Sequence, residues 1–264
     1  SAMNFGLIII GDEILSGKRQ DKHFPRVVDL LRARGLQLSW AQYLGDDRQR
    51  LTEFLARSFA APNQIVFSCG GIGATPDDHT RQAAAAALGV ELELHPEAAA
   101  LITQRAIDTA AQGQGSADMS LPENRQRLKM GEFPRGAQIV PNPYNRIPGF
   151  AIRNHYFVPG FPVMAWPMLE WVLDTHCREL FHRLSYGERS CLVYGLAEAT
   201  ATPLMEQIER EFDGIRVFSL PSVGENGERR HIELGVKGDV DRVEAAFERL
   251  VAGARELGGE IGPH

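Results

Sequence analysis

The segment that most constrains this chain is residues 64–75, where Gln64-Ile65-Val66-Phe67-Ser68-Cys69 passes directly into Gly70-Gly71-Ile72-Gly73-Ala74-Thr75. A short β-branched and aromatic run that ends on glycine reads as a strand buried on both faces. Three glycines in four positions then permit positive φ and a close approach of main chain to ligand. In doubly wound sheets the ligand crevice lies at the carboxyl ends of the strands. There the N–H groups of such a loop, with those of the next helix's first turn, form a cradle for an anion.

The flanking sequence supplies the rest of such a sheet. Residues 7–10 (Leu-Ile-Ile-Ile) form a continuous strand-like run, and residues 36–44 a second strand with Leu36, Leu38 and Trp40 on one face. Between them Phe24, Val27, Val28, Leu30 and Leu31 recur at helical spacing, with Gly35 as the stop. Residues 48–59, 76–89, 96–111, 122–130 and 167–181 read as further helices, and 139–140 and 156–158 as short strands. This rhythm predicts an α/β domain over residues 3–184, a mainly parallel sheet with helices on both faces. Near Ser185 the order changes to β (189–194), α (203–212), β (215–220), β (230–236), α (239–257), which predicts a small α+β domain over residues 185–264.

Charge narrows the ligand. The last 80 residues carry 9 Lys/Arg against 15 Asp/Glu, which accounts for the whole net charge of −6. Neither part has the basic field that nucleic acid requires. An anionic ligand must instead be held by backbone dipoles or a metal. No run reaches the roughly 18 apolar residues of a membrane span. Three cysteines without metal-ligand spacing, and Met3 leading straight into apolar sequence, point to a reducing cytoplasm.

The loop continues as Pro76-Asp77-Asp78-His79-Thr80. One reading makes Thr75 an N-cap with Pro76 at N1 and the two acids at N2 and N3. The other uses the glycines: a mere helix start needs one flexible residue, and two carboxylates beside a phosphate cradle call for a divalent cation between them.

Gly-Gly-x-Gly-x-Thr-x-Asp-Asp-x-Thr resembles the signature of the molybdopterin-binding superfamily in its CinA-like branch. Ile10-Gly11-Asp12-Glu13-Ile14-Leu15-Ser16-Gly17 with Asp21, Gly45-Asp46-Asp47, Asn142 with Pro148-Gly149-Phe150, Pro159-Gly160-Phe161-Pro162, and Gly195-Leu196-Ala197-Glu198 fit the same branch in the same order. The resemblance implies that Gly70, Gly71 and Gly73, with Thr75, Asp77 and Thr80, serve a phosphate cradle. It implies further that Asn142, Pro148, Gly149, Pro159 and Gly160 wall the pocket. Asp78, Asp46 and Asp12 are the implied catalytic carboxylates, and Asp12, Glu13 and Asp78 the implied holders of Mg²⁺ or a similar cation.

The expected ligand is a phosphate-containing small molecule, a nucleotide pyrophosphate or molybdopterin. The expected activity is metal-dependent hydrolysis of ADP-ribose-like pyrophosphates. The alternatives are molybdopterin binding or adenylyl transfer in molybdenum cofactor biosynthesis, and a non-catalytic ligand-binding role. A homo-oligomer is expected, and the sequence ends before the deamidase domain of longer relatives. Departures from the pattern bear on catalysis: Cys69, Ala74, His23, Asn145, Ile147 and Val163 replace its usual residues. Cys69 reads as a small buried residue, His79 as an exposed first-turn histidine, Phe161, Trp166 and Trp171 as core aromatics, and Arg125, Arg127 and Lys129 as a solvated face.

Overall fold

The structure, a computed structural model, describes residues 3–182 and 186–262. It divides into two compact units, Ser1–Phe181 and His182–His264. Ser185, where the sequence pattern changes, lies outside the described residues.

In the first unit the chain runs through β1 (Asn4–Ile10), α1 (Asp12–Leu15), α2 (His23–Arg32), β2 (Leu38–Leu44), α3 (Arg48–Ala60), β3 (Gln64–Cys69) and α4 (Thr80–Leu88). It continues through β4 (Leu92–Leu94), α5 (Pro96–Ala111), α6 (Pro122–Leu128), β5 (Glu132–Pro134), β6 (Gln138–Val140), β7 (Gly149–Ile152), β8 (His155–Val158) and α7 (Pro162–His176). Six strands form one sheet in the order β2-β1-β3-β8-β7-β6, and β4 pairs with β5 separately. β2, β1, β3 and β8 are parallel, and β7 is antiparallel to both of its neighbours. The mainly parallel sheet expected from the sequence is present.

The alternation of side chains along a strand explains why helices cover both faces. In β1, Phe5, Leu7 and Ile9 enter one apolar cluster with Val27, Leu30 and Leu31 of α2 and Met168, Leu169 and Val172 of α7. The intervening Ile8 and Ile10 enter the other with Leu51 and Leu55 of α3, Ala83 and Ala84 of α4 and Ala98 of α5. β3 and β8 follow suit: Phe67 and Tyr156 face the first cluster, Val66 and Phe157 the second. With both faces covered, a central strand has no polar side to present, hence the unbroken apolar run.

Three helix starts differ from the sequence reading. α4 begins at Thr80 with His79 at its N-cap and no side-chain cap, so Thr75–Asp78 is a turn ahead of the helix. The Thr75 N-cap with Pro76 at N1 is therefore not formed. α7 begins at Pro162 and runs through Pro167. Pro167 cannot donate to the Val163 carbonyl, one turn back, and Val163 is exposed. In the second unit α8 likewise begins at Glu198 and contains Pro203. A proline that reads as a start is, in both cases, inside the helix.

The second unit comprises β9 (Tyr186–Tyr194), α8 (Glu198–Glu211), β10 (Ile215–Pro221), β11 (His231–Asp239), α9 (Val240–Glu256) and β12 (Glu260–Ile261). Its four strands form an antiparallel sheet, β10-β11-β9-β12. Val193, Leu234 and Val236 from one side of the sheet bury against Ala201 and Ile208 of α8 and Phe247 and Leu250 of α9. This is the α+β module expected for the end of the sequence, with β12 added.

Candidate functional site

Parallel strands bring their carboxyl ends to one edge. The register Ile9↔Cys69 and Cys69↔Val158 places the ends of β1, β3 and β8 in one row. Gly11 N–H donates to the Leu44 carbonyl at 3.0 Å and Gly70 N–H to the Val158 carbonyl at 2.9 Å, tying the departing loops together. Because β7 runs antiparallel and Gly149 pairs with Val140, the 141–148 loop leaves from the same edge. The loops around a cavity of about 370 Å³ are these, and its wall carries most of the expected residues.

Glu13, Asp46, Gly70, Gly71, Gly73, Thr75, Asp77, Asp78, Asn142, Pro148, Pro159 and Gly160 line the cavity. Asp12, Thr80 and Gly149 do not. Thr80 is fully buried beneath the glycines, where its hydroxyl donates to the Gly70 carbonyl at 3.1 Å and its N–H to the Gly71 carbonyl at 3.0 Å. Gly71, at φ +75°, has no room for a Cβ against the Thr80 hydroxyl. Thr80 therefore shapes the cradle from below and does not line the cavity. Gly149 is buried in β7, where a Cβ would run into the Phe157 carbonyl; its role is sheet closure.

The carboxylates divide by job. Asp12 Oδ1 accepts from Asp46 N–H at 2.9 Å, and Asp12 N–H donates to Asp46 Oδ2 at 3.0 Å. Asp12 thus braces the loop that presents Asp46. Burial pushes the Asp46 carboxyl up; the Asp12 N–H opposes this, while repulsion from Asp12, Glu13 and Asp77 adds to it. Thr75 organises the other pair: its N–H donates to Asp78 Oδ2 at 3.0 Å, and its hydroxyl lies 2.5 Å from Asp77 Oδ1 and 2.7 Å from Asp78 Oδ2. That contact lowers the Asp77 pKa first and foremost.

The expected metal set is not assembled. Among the described residues no group of three or more His, Cys, Asp or Glu side chains is placed to hold a metal ion. Asp12 is engaged with Asp46, so Asp12, Glu13 and Asp78 do not converge. Among the described residues the carboxylates do not build a closed cation cage.

Arg19 is the residue that sequence reasoning missed. It lines the cavity, and its guanidinium lies 5.9 Å from the centre of the Phe161 ring. Among the described lining residues it is the one Lys or Arg, beside a lining that also carries Glu13, Asp46, Asp77 and Asp78. Its signal was its place in the loop between Gly11 and Asp21. Phe161, read as core, is exposed and forms an apolar wall with Met130, Ile147 and Met164.

Of the departures from the family pattern, Ala74, Asn145 and Ile147 line the cavity, whereas Cys69 and His23 are structural. Cys69 is buried in the core, and burial pushes its thiol up. His23 is buried, accepting at Nδ1 from Trp166 Nε1–H at 3.1 Å, which leaves Nε2–H to donate to the Gly160 carbonyl at 2.8 Å. It therefore anchors the Pro159-Gly160 turn from behind.

Loops from several strands meeting around a glycine-rich turn at one edge of a mainly parallel sheet define an α/β small-molecule-binding domain. The chain belongs to the family described as probable molybdopterin binding domain, whose model matches residues 6–179. The likeness to CinA-like proteins seen in the motifs holds across the sequence. A CinA-like protein of Citrifermentans bemidjiense is 32% identical over 210 residues, 77% of this chain and 47% of that protein. Protein Ta0487 of Thermoplasma acidophilum is 26% identical over 274 residues, 98% of each chain. The crystal structure of a CinA protein of unknown function from Thermoplasma acidophilum matches with a TM-score of 0.53 at 27% identity, over 66% of this chain and 97% of that one. The chain spans about half the length of the CinA-like proteins it matches. Among the described residues no helix is long and apolar enough to cross a membrane.

Proposed function

We propose that the cavity binds an organic phosphate as its Mg²⁺ complex, and that the preferred ligand is a nucleotide pyrophosphate of the ADP-ribose type, which it hydrolyses. The observation that carries this reading is that one cavity is lined by the Gly70–Gly73 turn, a single cation, Arg19, and four carboxylates. The turn and Arg19 suit phosphate oxygens. The carboxylates would repel them, so a divalent ion must arrive with the phosphates, taking part of its oxygen shell from the ligand. The apolar wall of Met130, Ile147, Phe161 and Met164 suits a flat base beside the phosphates.

In this reading a water attacks one phosphorus and gives its proton to Asp46, whose carboxyl burial pushes up, toward a base. The bond from that phosphorus to the bridging oxygen breaks, and the other phosphate leaves with that oxygen. ADP-ribose yields AMP and ribose 5-phosphate. Asp78 holds Thr75 and the shape of the turn, and Asp12 acts only through Asp46.

A second reading, molybdopterin binding, is favoured by the family description and by the same apolar wall, which takes a pterin as readily as an adenine. The test is AMP release from ADP-ribose with Mg²⁺, comparing the wild type with Asp46→Asn and Asp78→Ala. Release that both substitutions suppress supports the hydrolase. Binding of ADP-ribose without release assigns a non-catalytic role, and binding of a pterin phosphate alone assigns the second reading.

A further inference from the structure

A second cavity, of about 300 Å³, adjoins the first and shares Met130, Asn145 and Ile147 with it. Asn145 and Ile147 are also positions at which the chain departs from the family pattern. The two cavities differ in charge. Arg105 and Arg127 line the second, and no Asp or Glu stands among its described lining residues.

The fold places both arginines. Ile102, Arg105, Ala106 and Thr109 recur at helical spacing along α5, so one face of that helix forms a wall of the cavity. Arg105 is half-buried on that face. Among the described residues nothing accepts from its guanidinium, and none of its nitrogens is sealed from solvent. Arg127, exposed in α6, donates from Nη1 to Asn124 Oδ1 at 2.7 Å. Asn124 is fully buried, and its Nδ2 donates to the Ser116 carbonyl at 2.8 Å and the Asp118 carbonyl at 2.9 Å. Ser116 itself lines the cavity. This link from Ser116 through Asn124 holds one nitrogen of the Arg127 guanidinium beside the cavity's own loop and leaves its other N–H groups to a ligand. The reading of Arg127 as part of a solvated face missed that anchor.

Two guanidiniums without a carboxylate partner suit a doubly charged anion that takes several N–H bonds at once. We infer that the second cavity receives a further phosphate of the ligand, and that the ligand class is a nucleotide whose ribose carries a phosphate monoester on its 2′ or 3′ hydroxyl. The inference rests on the reading of the first cavity as a nucleotide site. In that reading the base lies on the apolar wall, and Met130 and Ile147 of that wall continue into the second cavity. The 2′ and 3′ hydroxyls, on the edge of the ribose away from the 5′ phosphate, then face Arg105 and Arg127.

The test is calorimetric titration of AMP, adenosine 2′,5′-bisphosphate and adenosine 3′,5′-bisphosphate into the full chain with Mg²⁺. None of the three has a pyrophosphate bond to break, so the heat reports binding alone. One or both bisphosphates should bind about tenfold more tightly than AMP. Arg105→Gln and Arg127→Gln should each cut that gain to about threefold or less and leave AMP affinity unchanged. Arg19→Ala should weaken all three nucleotides alike and keep the gain. AMP binding with no gain from either bisphosphate, a gain that survives both Gln substitutions, or a gain lost in Arg19→Ala would each overturn the inference and leave the first cavity's reading standing. No binding of any of the three would overturn the nucleotide reading and this inference together.

Discussion

Asp12 and Asp46 each hold the other's backbone: Asp46 N–H donates to Asp12 Oδ1 at 2.9 Å and Asp12 N–H to Asp46 Oδ2 at 3.0 Å. The loops after β1 and β2 are locked to one another by this exchange, although 34 residues separate the two acids. Asp12→Ala removes one acceptor at an exposed position. It should cost about 1 kcal/mol of stability, yet lower ADP-ribose affinity or turnover about tenfold through the displaced Asp46. Asp12→Asn keeps the acceptor and should restore most of the loss. Denaturation midpoints and AMP release on the two variants check the division between bracing and chemistry.

Arg19 supplies the positive side chain of the cavity wall, so Arg19→Ala should weaken nucleotide binding about ten- to a hundredfold while leaving the fold intact. The wild-type affinity should fall with added salt, and the variant's should fall less steeply. Calorimetric titration at two ionic strengths is sufficient.

Much of this architecture was legible in the sequence. The apolar runs at 7–10 and 64–69 are strands because neither face meets water, and the Gly70–Gly73 turn is at the sheet's carboxyl edge because β3 ends there. What failed has a local cause. Pro76 looked like a helix start, but the Thr75 hydroxyl and N–H close a turn on Asp77 and Asp78, and the helix waits until Thr80. Pro167 and Pro203 misled in the same way. Arg19 carried only the signal of its loop and Arg81 none, since their surroundings depend on Phe161 in one case and on the Gly73 and Lys129 carbonyls in the other. Thr80 and Gly149 directly follow the right loops, at the starts of α4 and β7, but are packed into protein.

Two glycines at positive φ separate strain from function. Gly71 (φ +75°) abuts the Thr80 hydroxyl, whereas Gly113 (φ +84°) has nothing within 4 Å of the place a Cβ would occupy. Gly113→Ala should cost only the left-handed backbone penalty, roughly 1–2 kcal/mol. Gly71→Ala adds a clash that Thr80 cannot relieve, and should cost more and abolish ligand binding. Urea denaturation of the two variants distinguishes these cases.

His155 is buried, accepting at Nε2 from Ser58 Oγ–H at 2.7 Å while Nδ1–H donates to the Arg153 carbonyl at 2.8 Å. Burial lowers its pKa from 6.5 to about 4. Between those values the unfolded chain binds more protons than the folded one. Stability is therefore full above about pH 6.5 and falls as the pH drops toward 4, by an amount on the order of 3 kcal/mol. Burial also lowers the pKa of His23, which contributes in the same direction. His155→Gln should flatten the dependence of stability on pH between 6.5 and 4 by about one proton, measured by denaturant titration across that range.

The central claim is that phosphate oxygens are received by the main chain of the Gly70–Thr75 turn. Hydrogen–deuterium exchange with and without Mg²⁺–ADP-ribose measures this directly. The account predicts slowed exchange at the amides of Gly71, Ile72 and Gly73, and loss of that protection in Arg19→Ala. Unchanged exchange in this turn, with ligand protection appearing elsewhere in the chain, would contradict it.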